Sequence, residues 1–154
     1  MRKPRVVVCD DEDLILAVLR RVLEKMGYEV ITAETFITCA FFREHVDSCP
    51  HRCTDVLIID YKMPDITGME MLELQHKGGC KLTSKNKALM TGCDDSTLIT
   101  KTEALGCQFF PKPLHIPTLV AWLRECEKLF DVTEPLASDL FLPAKKKSIS
   151  VSKS

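Results

Sequence analysis

With 154 residues, 45% of them apolar and 28% charged, the chain has the size and balance of one globular domain followed by a tail. A net charge of −1, with no concentrated basic stretch in the part that reads as folded, argues against a nucleic-acid-binding surface. No run approaches the roughly 18 apolar residues of a membrane span. Met1-Arg2-Lys3-Pro4 leads directly into a strand without a signal peptide's apolar stretch, so the expected location is the cytoplasm.

The first strand is Val6-Val7-Val8-Cys9, an apolar run without alternation that ends in Asp10-Asp11 and Glu12. Residues 14–26 have helical periodicity, with Ile15, Val18, Leu19, Val22, Leu23 and Met26 on the inward face. Asp13 is placed to cap this helix and Gly27 to stop it. Tyr28-Glu29-Val30-Ile31-Thr32 is a short strand, and a second helix is expected over 35–46 with Ile37, Ala40 and Phe41 inward.

Residues 47–54 then make a long, polar connection that reads as a surface elaboration. With His45 it contains the pattern H-x₃-C-x-H-x-C through Cys49, His51 and Cys53, which is not a usual zinc spacing. The eight cysteines are expected reduced: Cys9, Cys93 and Cys107 lie in or beside strands, where a thiol behaves as a small hydrophobe.

Val56-Leu57-Ile58-Ile59 is the most apolar strand, of the kind buried on both faces of a parallel sheet. It ends on Asp60, and Met63-Pro64 with Gly68 then force a turn. Met69, Met71, Leu72 and Leu74 mark a third helix, ended by Gly78-Gly79. Ala88-Leu89-Met90 is a strand ending in Thr91-Gly92, and Asp94-Asp95-Ser96 starts a fourth helix that reaches Gly106. Gln108-Phe109-Phe110 is the last strand, ending in Pro111-Lys112-Pro113. A fifth helix is expected over about 116–130, with Pro117 in its first turn. Residues 131–154, with Lys145-Lys146-Lys147 and several serines, read as a flexible basic tail after a domain covering 1–130. Leu140-Phe141-Leu142 is its one apolar cluster.

Five strands alternating with five helices predict an α/β fold with a doubly wound parallel sheet. Ligands of such sheets sit at the carboxyl ends of the strands. Four strands deliver an acidic cluster, a central Asp, a hydroxyl and a lysine to that end. Clustered carboxylates suit a hard cation such as Mg²⁺, and a lysine with a hydroxyl suits the oxygens of a phosphoryl group.

In these motifs, over about residues 4–130, the chain resembles the receiver domain of two-component response regulators, in particular the stand-alone kind related to chemotaxis regulators. The resemblance implies a flavodoxin-like topology and a phosphoacceptor at Asp60. It implies Mg²⁺ held by Asp10, Asp11, Asp60 and the backbone carbonyl of Lys62. Thr91 and Lys112 would contact the phosphoryl oxygens, and Phe109 would take the place of the aromatic switch residue paired with Thr91. The Lys112-Pro113 bond matches a step that is typically cis in that family.

The implied partners are a histidine kinase or histidine phosphotransfer protein and a downstream protein. The latter would be reached through the face of the fourth helix, fifth strand and fifth helix. Neither nucleic acid nor membrane is implied, and the expected state is a monomer or weak dimer with no effector domain. The same resemblance makes the protein a phosphoacceptor that assists its own chemistry rather than an enzyme. Lys62 and Cys93 are expected to flank the path of the water that removes the phosphoryl group. A dehalogenase-type phosphatase would need an Asp two positions after Asp60, where Lys62 stands. The remaining alternative is a degenerate receiver that binds partners without being phosphorylated.

Overall fold

The computed structural model describes residues 1–34, 52–64 and 66–136. Its centre is a strand with no polar position until its last residue. Val56–Asp60 (β3) is buried throughout, and it pairs in parallel with Arg5–Cys9 (β1) on one side and Lys87–Thr91 (β4) on the other. Glu29–Ala33 (β2) extends the sheet beyond β1, and Gln108–Pro111 (β5) extends it beyond β4. The resulting order is β2-β1-β3-β4-β5, all parallel. Because the order reverses between β1 and β3, a crevice opens at the carboxyl ends of those two strands.

Four α-helices lie among the described residues: Asp13–Lys25 (α1), Gly68–Lys77 (α2), Ser96–Ala104 (α3) and Ile116–Cys126 (α4). The helix expected over 35–46 lies outside the described residues, as do His45, Cys49 and His51. Alternate residues of the strands divide the core into two layers. On one face Val6, Val8, Ile58, Ala88, Met90 and Phe110 pack against Leu16, Leu19 and Leu23 of α1 and Leu119 and Leu123 of α4. On the other, Val7, Leu57, Ile59 and Leu89 pack against Met69, Met71 and Leu72 of α2 and Leu98 of α3. Each fully buried aliphatic side chain contributes about 1.5–3 kcal/mol, so the two layers are the main source of stability.

Helix ends follow local chemistry. Thr67 and Glu70 form a reciprocal capping box at the start of α2, and Asp95 accepts the Thr97 N–H at the start of α3. Gly27 ends the turn after α1 with φ +95°, a conformation that side chains rarely tolerate. Two expectations for α1 are corrected. Its cap residue is Glu12, whose side chain makes no capping bond, and Asp13 is the first helical residue. Val18, expected inward, is 45% exposed, while Leu16 is buried in its place. Leu14 to Leu19 are six consecutive apolar residues, so periodicity alone leaves the helix free to rotate.

The amino end of the sheet is closed by one guanidinium. All five Arg2 N–H groups find acceptors: both Asp55 carboxylate oxygens (2.6 and 3.0 Å) and the carbonyls of Lys3, Asp131 and Glu134. Asp55 is fully buried and also accepts the Arg5 backbone N–H at 2.9 Å. Arg52 bonds the Glu134 carboxylate at 3.1 Å. Residues 131–134, where the expected tail begins, are thus attached to the body of the fold. Removing Asp55 leaves Arg2 with two donors facing no partner. Asp55→Ala is therefore expected to lower unfolding free energy by on the order of 2–3 kcal/mol in urea titrations. A loss below about 0.5 kcal/mol would show that the clamp does not contribute.

Candidate phosphoryl-transfer site

Three strand ends are held level by backbone bonds that continue the ladder into the loops. Asp10 N–H donates to the Ala33 carbonyl, Tyr61 N–H to Met90 (2.8 Å) and Lys112 N–H to Thr91 (2.9 Å). The side chains that leave these positions therefore start from rigid backbone. Asp10 is fully buried, Asp60 is 5% exposed and Asp11 is open to solvent. One oxygen from each of the three lies within 4.8 Å of the other two.

Lys112 supplies the counter-charge. Its ammonium contacts Asp10 Oδ2 at 2.9 Å, Asp60 Oδ1 at 3.0 Å and Glu12 Oε1 at 3.1 Å. Burial alone would lower the lysine pKa, but hydrogen bonds to Asp10, Asp60 and Glu12 outweigh it and hold the pKa above its ordinary value. For Asp60 the balance is the reverse of a usual ion pair. Burial raises its pKa, the Lys112 hydrogen bond opposes this, and the nearby charges of Asp10 and Asp11 raise it again, leaving it above the carboxylate norm.

The peptide linking Lys112 to Pro113 is cis. Thr91 is buried at the end of β4, and its hydroxyl oxygen accepts the Cys93 N–H at 2.9 Å. Phe109 is half-buried against the α2–α3 layer, whereas Phe110 is the fully packed aromatic, edge-to-face with Trp122 at 5.4 Å. Lys62 is exposed and Cys93 half-buried. Gly68 backs the site: a Cβ there would overlap the Asp60 carbonyl oxygen and Leu89 Cδ1.

Asp10, Asp11, Asp60, Thr91 and Lys112 thus belong to the carboxyl edge of one sheet. The reach of Glu12 to Lys112 has no sequence signal beyond its place after the Asp pair.

The sequence matches the response regulator receiver domain over residues 6–124. The chain belongs to that family. It is 33% identical over 121 residues to the transcriptional regulatory protein KdpE of Mycobacterium tuberculosis, a match covering 77% of this chain and 49% of that protein. It is 30% identical over 129 residues to the two-component response regulator ARR11 of Arabidopsis thaliana, covering 80% and 23%. The chain therefore spans half or less of the length of these relatives. Among solved structures, the non-phosphorylated HemR receiver domain of Leptospira biflexa matches with a TM-score of 0.65 and 24% identity, covering 84% of this chain and 98% of that one. The beryllofluoride-activated NtrC4 receiver domain dimer matches at 0.64 and 22%, covering 82% and 98%. At these identities the two structures bear on the fold alone.

Receiver domains as a family bind Mg²⁺ at an acidic pocket. The hard oxygen donors of Asp10, Asp11 and Asp60 fit such an ion by their chemistry. No helix among the described residues is long and apolar enough to cross a membrane.

The raised Asp60 pKa has a measurable consequence. A carboxyl that binds its proton more tightly when folded contributes most to stability while protonated. That contribution falls as pH rises through the ordinary carboxylate range to the raised value. In chelator, Asp60→Asn is expected to melt about 2–5 °C above the unchanged chain near pH ~7.5, with the gap closing toward pH ~4. A gap that is constant with pH would show that Asp60 carries no such electrostatic load.

Proposed function

We propose that the protein accepts a phosphoryl group on Asp60 from a histidine kinase or histidine phosphotransfer protein. We propose also that it signals through phosphorylation-dependent contacts with another protein. The observation that carries this reading is the Lys112 ammonium bonded to both Asp10 and Asp60, because a phosphoryl-transfer site needs positive charge beside its anionic nucleophile. Asp60 attacks phosphorus, its oxygen forming the new P–O bond as the P–N bond to the donor imidazole breaks. The imidazole nitrogen keeps the electron pair and takes a proton.

Mg²⁺, when held by Asp10, Asp11, Asp60 and the Lys62 carbonyl, supplies charge neutralisation at the carboxylates and the phosphoryl oxygens. Lys112, already at Asp60, turns to a phosphoryl oxygen, and the Thr91 hydroxyl donates to another. The apolar residues Leu14, Ala17 and Val18 are exposed along one side of α1, next to the acidic loop, and form a surface a phosphodonor can cover.

Incubation with acetyl phosphate and Mg²⁺ is expected to give hydroxylamine-sensitive phosphate on the unchanged chain and none on Asp60→Asn. Labelling of that variant at an undiminished level would overturn the assignment. Failure of the unchanged chain to label, with intact fold, would favour a receiver that binds partners without phosphorylation.

Output is assigned to the face of α3, β5 and α4, where Thr91 and Phe109 connect the site to the surface. The product carries about two negative charges in place of one. Phe109, lacking a hydroxyl, turns inward without leaving a polar group unpaired. Thr91→Ala is expected to retain phosphorylation while amide shifts of residues 95–130 on adding beryllofluoride shrink by about half or more. Equal shifts in both proteins would remove Thr91 from the coupling.

A further inference from the structure

An ammonium has three N–H donors and no acceptor, and each donor of Lys112 is directed at a different carboxylate. Two of these, Asp10 and Asp60, are buried and fixed by strand ends, and both belong to the three-oxygen cluster suited to a divalent cation. Lys112 and a cation therefore compete for the same two side chains. The third carboxylate differs. The Glu12 side chain is 61% exposed, makes no capping bond to α1, and stands outside the three-oxygen cluster. Its backbone is nevertheless pinned to the site, since Glu12 N–H donates to Asp10 Oδ1 at 2.9 Å.

We propose that Glu12 is a positioning residue that keeps the Lys112 ammonium at the mouth of the site when Asp10 and Asp60 are given over to a divalent cation. This rests on the reading of the site as a cation-dependent phosphoacceptor. Lys112 leaving two buried carboxylates loses two charge-assisted bonds. Glu12 retains the third and holds the ammonium within reach of an incoming phosphoryl oxygen. Its exposure lets the side chain follow the lysine as it moves. Without Glu12, the lysine settles on Asp10 and Asp60 alone and resists displacement. An acidic residue at a helix amino end is also favourable to the helix itself, but that effect does not depend on Lys112.

The test is a double-mutant cycle read by calorimetric titration of the full chain with Mg²⁺. Glu12→Ala is expected to weaken Mg²⁺ binding by about two- to fivefold, the scale of an exposed charge-assisted pair. In the Lys112→Met background the same substitution is expected to change binding by a factor at least about twofold smaller. Glu12→Gln, which keeps an acceptor oxygen and alters the backbone least, is expected to fall between Glu12 and Glu12→Ala. Equal losses in the two backgrounds would mean that the carboxylate acts through space or through the helix, and would overturn the proposal. So would no loss in either variant. Absence of Mg²⁺ binding by the unchanged chain would overturn the underlying reading of the site and this inference with it. Equal losses overturn the inference alone.

Discussion

Like charges brought together at one sheet edge are the constraint on which this structure depends. Asp10 and Asp60 are nearly inaccessible to water and share a small volume with Asp11. In the described structure their main relief is one ammonium, Lys112. Burial and the neighbouring carboxylates keep the Asp60 pKa raised in spite of that contact. The arrangement costs stability in isolation, and positive charge bound among the carboxylates would relieve it.

The rest of the fold holds that edge rigid. β3 is buried at all five positions and paired on both sides, so Asp60 leaves a backbone that cannot yield. Hydrogen bonds from Tyr61 to Met90 and from Lys112 to Thr91 carry strand pairing one residue past the sheet. Gly68 lets the following loop close against the Asp60 carbonyl. At the opposite edge Arg2 and Asp55 tie together the chain before β1, the entry to β3 and the segment after α4. Chemistry and stability are thereby assigned to opposite ends of the same sheet.

Much of this was legible in the sequence. Unbroken apolar runs ending in Asp10-Asp11, Asp60, Thr91 and Lys112 specify buried parallel strands, and a doubly wound sheet brings such ends together. Gly27, Gly79 and Gly106 marked helix ends correctly because each takes a positive φ that glycine adopts without strain, which is a local property. β4 begins one residue earlier than the apolar run, at the buried Lys87, a position that polarity assigns to a loop.

What the sequence determined by itself was the order of elements and the residue types delivered to each strand end, because both follow from periodicity, turn chemistry and the length of the apolar runs. What only the tertiary structure decided was how those elements face one another. Six apolar residues in a row at the start of α1 satisfy several rotations, and packing on β1 and β3 selected the one that buries Leu16 and exposes Val18. Arg2 and Asp55 are 53 residues apart, and Lys112 and Glu12 are 100 apart. No local pattern marks either pair, since a charge has no periodicity and finds its partner only after the sheet has set the distance between them.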